Sequence, residues 1–236
     1  MRRSDASPHF CAKKEGNALS ITKNVARIKE EIAKAAIAAG RNPKEITLCA
    51  ATKMNDAAAV QEAIRAGVDC CGENRVQELT LKQSQNAYDG APVHFIGHLQ
   101  TNKVRQVVGK VDLIQSVDSM RLLEAIDKEA AKQGIVQNIL LEINVAKEES
   151  KSGFAIEEVD AILSRIGEFS AIRVLGFMAI PPICQNSTEN HKFFQKMYNL
   201  SVDIMRKKYD NVCDNILTHT LSYFFLIMST ERLYIF

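Results

Sequence analysis

Neither sign of charge is in excess: 30 Lys and Arg stand against 28 Asp and Glu, a formal charge of +2. That is far from the basic stripe that a phosphate backbone selects, so nucleic acid is not an expected partner. Tryptophan is absent, and nothing follows from it. The six cysteines, Cys11, Cys49, Cys70, Cys71, Cys184 and Cys213, include no C-x-x-C pair. Two are adjacent in an apolar segment, and the set reads as small core residues of a reducing compartment. Long apolar runs are missing too: the longest, Leu221 to Met228, is interrupted by Ser222 and is far shorter than the roughly 20 residues of a membrane span. Ser4 to Ala12 contains Asp5, Pro8 and His9 and cannot serve as the apolar part of a secretory signal, so a cytoplasmic protein is expected. No G-x-G-x-x-G follows the first apolar run, which counts against an open dinucleotide-binding sheet.

What is present is an ordinary globular composition, 46% hydrophobic and 25% charged over 236 residues, enough for one large α/β core. Residues 1–17 have no period and read as a disordered leader. From Leu19, Ile21, Val25, Ile28, Ile32, Ala35 and Ala39 recur at helical spacing, and Gly40 with Pro43 supplies a stop. Apolar runs then alternate with helical patterns. The runs are Ile46 to Thr52, Val68 to Gly72, Val93 to Gly97, Leu113 to Val117, Asn138 to Asn144, Arg173 to Met178 and Asn215 to Ser222. Helices are expected over about 56–66, 74–83, 99–109, 119–133, 156–167 and 188–209. Asp118 or Ser119 is a candidate N-cap, and Gly67, Gly134 and Gly167 stand where C′ glycines would. Strands that are apolar throughout, each followed by a helix, imply a parallel sheet covered on its outer face. The expected fold is α/β, a (β/α)8 TIM-type barrel incomplete at its eighth strand, with an extra N-terminal helix.

A barrel places its chemistry at the carboxyl ends of the strands. Those ends offer Lys53, Glu73 with Asn74, His98, Ser116 with Asp118, Asn144, Met178, and His219 with Ser222. Lys53 stands out because a primary amine at a barrel mouth among apolar neighbours can act as a nucleophile toward an aldehyde. Plainer roles compete: Lys53 as a solvated strand end, and Asn74 and Asp118 as caps of the helices that follow. His94 and His98 are four apart, but on a strand running into a turn the helical geometry of a metal pair does not apply, and no metal is expected. Lys151-Ser152-Gly153 after the fifth run could hold an anion or simply be a solvated loop. Arg206-Lys207-Lys208 ends a helix, where cations suit the macrodipole without any ligand.

Several strings over residues 18–222 resemble the pyridoxal phosphate homeostasis protein family, whose fold is similar to the N-terminal barrel of alanine racemase. They are Ala50-Ala51-Thr52-Lys53, Gly72-Glu73-Asn74 with Val76-Gln77-Glu78, and His94-Phe95-Ile96-Gly97-His98-Leu99-Gln100 with Asn102-Lys103. Ser116-Val117-Asp118-Ser119, Asn144, Glu148 to Gly153 and Gly176-Phe177-Met178 continue the likeness. The resemblance implies that pyridoxal 5′-phosphate (PLP) is held as an imine on Lys53, with Asn74 beside it. Ser222 would match the first serine of the family's Ser-Met-Gly-Met-Ser phosphate loop. The implied role is PLP supply and buffering without established turnover. A racemase-like enzyme and a barrel that binds nothing are the alternatives. A small-molecule cofactor is the one expected partner, and a monomer is favoured. After Ser222 the chain departs from the family, which continues with that loop, a helix and an eighth strand bearing Val-Arg-Ile-Gly. Residues 223–236 form an apolar tail in which Phe224 to Met228 is expected to substitute for the missing strand, with weakened phosphate anchoring as the consequence.

Overall fold

The structure is a computed structural model and describes residues 20–148, 152–182, 187–213 and 223–227, with 187–189 and 223–227 as backbone only. The leader, Lys151, His219 and Ser222 lie outside the described residues. Helix α1 (Ile21–Ala38) opens the fold, and the Ser20 hydroxyl accepts from the Lys23 amide at its N-terminus. Strand β1 (Thr47–Ala51) follows, then α2 (Ala57–Arg65), β2 (Cys70–Glu73), α3 (Val76–Ser84) and β3 (Val93–Phe95). The second half comprises β4 (Leu113–Val117), α4 (Met120–Gln133), β5 (Gln137–Glu142), α5 (Val159–Arg165), β6 (Ile172–Met178), α6 (Ser187–Lys207) and β7 (Tyr223–Ile227). Where a helix is expected over 99–109, the chain makes only a 3-10 segment, Thr101–Gln106.

All seven strands are parallel, in the order β6-β5-β4-β3-β2-β1-β7. Strand β7 lies beside β1 from Thr47↔Tyr223 to Ala51↔Ile227, the place an eighth strand takes in a closed barrel. At the opposite edge an isolated parallel bridge joins Val174 of β6 to Val212. That bridge adjoins the expected seventh run, which itself falls outside the described residues.

Burial explains the layering. Leu48 and Ala50 of β1 face outward against Val25, Ile28, Ile32 and Ala63, so the stripe read as an amphipathic helix covers the first strand. Each of the valine, leucine and isoleucine side chains, fully buried, contributes roughly 1.5–3 kcal/mol. The large core lies between the other helices and the sheet and includes Leu79, Phe95, Leu123, Ile139 and Phe177. Leu113, Leu140 and Met178 form a separate apolar cluster. Ser119 caps α4, and Gly134 ends it with φ +69, a left-handed conformation that glycine adopts without steric cost. Gly167 does not act as a C′ residue; it sits inside a 3-10 turn, Ile166–Glu168, that prolongs α5. Among the described residues no helix is long and apolar enough to cross a membrane.

Candidate functional site

Strand β1 delivers Lys53 to the rim. Its register with β2 pairs Ala51 with Gly72, so Lys53 and Asn74, each two residues further on, stand level at the ends of neighbouring strands. Lys53 is half-buried, and its ammonium has no hydrogen-bond or ion-pair partner among the described residues. Its carbonyl accepts from the Asn55 amide, 3.0 Å. Asp56, three residues on, caps α2 through the Ala59 amide at 2.8 Å, which ends the strand and starts the helix within a few residues.

Asn74 is no helix cap: the N-cap of α3 is Arg75, without a side-chain hydrogen bond. Its Oδ1 is buried and unpartnered. A buried polar atom left without a partner is costly, and a ligand group at the mouth would satisfy this one. The backbone of Asn74 is held by close packing, since a Cβ at Gly97 would come within 2.2 Å of the Asn74 carbonyl oxygen. Ser116 donates its hydroxyl to the Gly97 carbonyl, 2.5 Å. It therefore positions β3 and is not open to a ligand.

The remaining strand-end residues divide. His98 Nδ1 lies 3.1 Å from Asp118 Oδ2, so Asp118 partners His98 while Ser119 does the capping. Asn144 exchanges two hydrogen bonds with the backbone of Glu148, at 2.8 and 3.1 Å, shaping the loop after β5. Met178 is buried in the apolar cluster with Leu113 and Leu140.

Glu73 points away from the mouth. Its Oε1 accepts from Thr52 Oγ1 at 2.6 Å, Lys82 Nζ at 2.5 Å and Tyr88 OH at 3.0 Å. Lys82 also donates to the Thr52 carbonyl, 2.6 Å, the peptide group directly before Lys53. Thr52, Glu73 and Lys82 are all buried. Burial and the Glu73 carboxylate push the Tyr88 phenol well above its ordinary value. This cluster braces the ends of β1 and β2 from behind. Lys82 and Tyr88 escaped sequence reasoning, although Val76, Leu79 and Lys82 form one buried face of α3, and a lysine on an apolar stripe is a legible anomaly.

Glu142, at the end of β5, was missed as well. Burial pushes its carboxyl up to about 7, the Asp118 carboxylate adds to the rise, and His98 opposes it.

Residues 20–212 match the alanine racemase N-terminal domain family. A pyridoxal phosphate homeostasis protein of Aquifex aeolicus is 36% identical over 80% of this chain and 83% of its own length. The chain belongs to the pyridoxal phosphate homeostasis protein family. Two solved structures share the family fold. An unknown protein from Bifidobacterium adolescentis is 30% identical with a TM-score of 0.79, covering 91% of this chain and 95% of its own. PipY of Synechococcus elongatus PCC7942, with PLP bound, is 27% identical with a TM-score of 0.69, covering 81% and 84%. The resemblance read from the HFIGHLQ and EESKSG strings is thus the family the comparisons find, and its (β/α) barrel type is the fold the structure displays.

Proposed function

We propose that this chain binds PLP at the mouth formed by β1 to β5 and serves in supplying and buffering the cofactor, with Lys53 as the covalent anchor. The observation that carries the reading is the pairing, on adjacent strand ends, of an amine without a partner and a buried amide oxygen without a donor. When bound, PLP supplies an aldehyde that condenses with a primary amine and a ring that absorbs visible light. Lys53 offers the amine, held in place because the Thr52 carbonyl before it is tied to Lys82. Asn74, whose buried Oδ1 lacks a donor, would hold the cofactor beside Lys53 through its amide. Ser222 is assigned the phosphate end on the family resemblance alone. Support for a carrier role comes from the relatives, which are named for PLP homeostasis, and the buried thiols Cys49, Cys70 and Cys71 suit the reducing, cytoplasmic setting proposed for it.

Adding PLP to the purified chain and trapping with borohydride tests the reading. The expected result is a visible absorbance band and a single labelled peptide containing Lys53, both lost in Lys53→Ala. Labelling of another lysine, or an unchanged band in Lys53→Ala, refutes it. Alanine should not racemise faster with the loaded chain than with free PLP; faster racemisation would make the chain an enzyme.

A further inference from the structure

Below the mouth, on the face of β1 opposite Leu48 and Ala50, lies a polar cluster that the PLP reading does not use. The β1–β2 register sets Cys49 directly beside Cys70. His94 of β3 and Gln115 of β4 join them, with Cys70 Sγ 3.6 Å from His94 Nδ1 and Gln115 Nε2 2.8 Å from the same nitrogen. One donor atom each from Cys49, Cys70 and His94 lies within 4.8 Å of the others. The relative exposures are 0% for Cys49, 1% for Cys70, 6% for His94 and 0% for Gln115. The Gln115 Oε1 atom is buried without a hydrogen-bond partner.

From the Cys49, Cys70 and His94 donors, we infer that the barrel interior binds one zinc ion, with the Gln115 amide oxygen completing the set. Tetrahedral zinc with Zn–S near 2.3 Å and Zn–N near 2.05 Å has an S-to-N edge of about 3.6 Å, the spacing already present between Cys70 and His94. Turning the Gln115 amide about its last bond exchanges Nε2 for Oε1, which gives the unpartnered oxygen a cation to face and releases His94 Nδ1 for coordination. Charge selects the metal. Two thiolates and a neutral imidazole cancel Zn²⁺, leaving no net charge in a dry interior, whereas Cu⁺ would leave an uncompensated negative charge. Both thiols lose their protons to solvent as the two Zn–S bonds form, so binding releases about two protons per ion and strengthens as pH rises. The neighbouring Cys71 faces the other way, into the outer core, which makes it an internal control. An ion here ties β1, β2 and β3 together beneath Lys53 and Asn74.

The test uses the untagged full chain, reduced and stripped with chelator, titrated with Zn²⁺ against a chromophoric competitor and separately with Co²⁺. The expected result is about one ion per chain, a thiolate-to-cobalt charge-transfer band, tetrahedral cobalt bands in the visible and two protons released on a pH-stat. Uptake is lost in Cys49→Ala and Cys70→Ala, falls about 10–100-fold in Gln115→Ala, and persists in Cys71→Ala and Lys53→Ala. Retention in Lys53→Ala separates this site from the PLP reading. If the cysteine variants fail to fold, the wild-type cobalt spectrum and proton count decide. No uptake, uptake without thiolate bands, or full uptake in folded Cys49→Ala or Cys70→Ala overturns the inference.

Discussion

Replacing Lys82 by Met removes one ammonium and little else, because the stem that packs in α3 is retained. The pair it breaks is buried on both sides: side-chain exposure is 5% for Lys82 and 0% for Glu73. Removing one member of such a pair strands the other charge in a poorly solvating interior, at a cost of about 3–5 kcal/mol. Two hydroxyl donors, Thr52 and Tyr88, remain on Glu73 Oε1, which sets the expectation near the lower end of that range. Against the roughly 5–15 kcal/mol by which domains are stable, the variant stays folded but melts lower, by on the order of 10 °C for a chain of this size. Urea unfolding at neutral pH measures the change. Lys29→Met is the contrast: its pair with Asp69 is 41% and 42% exposed, and screening by water leaves such a pair worth about 0–1 kcal/mol.

The diagnostic measurement is the double-variant cycle. Glu73→Gln alone leaves the buried Lys82 ammonium with only the Thr52 carbonyl and the longer, 3.4 Å pair to Glu78, whereas Glu73→Gln with Lys82→Met removes both charges and leaves an amide among hydroxyls, so the double variant should be more stable than the sum of the singles predicts. A coupling of about 2 kcal/mol is expected for groups in direct contact. If the two singles add to within about 0.5 kcal/mol, or if Lys82→Met is no costlier than Lys29→Met, the ion pair is not what braces β1 and β2. Since Lys82 also holds the Thr52 carbonyl, PLP uptake should weaken in Lys82→Met even under conditions where it is fully folded.

Gly97→Ala forces a Cβ to within 2.2 Å of the Asn74 carbonyl oxygen. Because the obstacle is backbone, β2 or β3 must shift, costing about 1–3 kcal/mol and lowering PLP affinity, whereas Gly90→Ala, far from the mouth, should leave affinity unchanged. Glu142 has a folded value near 7 against an ordinary 4.5, so the folded chain binds the extra proton between those values and stability falls as pH rises through the window. Glu142→Gln should remove that slope and gain stability at pH 8, by on the order of 2–3 kcal/mol at most; a slope unchanged in urea melts at pH 5 and pH 8 would contradict the burial argument. The chain should discriminate only weakly between PLP and pyridoxal, and replacing the residues after Leu221 with a Ser-Met-Gly-Met-Ser loop should restore a preference for the phosphate; equal PLP affinity in the two chains, measured by absorbance titration, would refute weakened phosphate anchoring.

Alternation was legible because the strands are buried on both faces and mostly apolar, so a run such as Leu48 to Ala51 stands out without neighbours. The rim was legible because the residue ending each run lies at a strand end by construction, which put Lys53 and Asn74 level on neighbouring strands. The direction in which an end residue turns was not legible. Glu73 and Asn74 are adjacent, yet one enters a buried cluster behind the sheet and the other the mouth, and strand alternation assigns them opposite faces without saying which face is the mouth. Cross-strand neighbours were hidden for a further reason. Cys49 and Cys70 are 21 residues apart, so no linear spacing rule pairs them; only the β1–β2 register does. The helix expected over 99–109 shrank to a 3-10 turn although Val104, Val107 and Val108 are buried as its periodicity implied. Burial periodicity, then, does not distinguish a tight turn with apolar contacts from a regular helix.

The braces of the site are concentrated on one side of the barrel. Strands β1, β2 and β3 carry Lys53, Asn74 and the Gly97 contact that seats Asn74, and the Thr52–Glu73–Lys82–Tyr88 cluster fixes the first two strands to each other from outside. The thiol and imidazole cluster sits across the same strands from inside. On its other flank β1 pairs with β7, drawn from sequence that departs from the family pattern. Main-chain hydrogen bonds are indifferent to side-chain identity, so an unrelated apolar segment can supply the ladder that β1 needs. A phosphate grip depends instead on a glycine-rich turn that brings backbone N–H groups close to the anion, and an apolar strand does not reproduce it. A substituted strand without that loop should therefore separate two properties: β1, and with it Lys53, stays paired on this flank, while the expected affinity for the phosphate is lower, which the comparison with the restored loop measures.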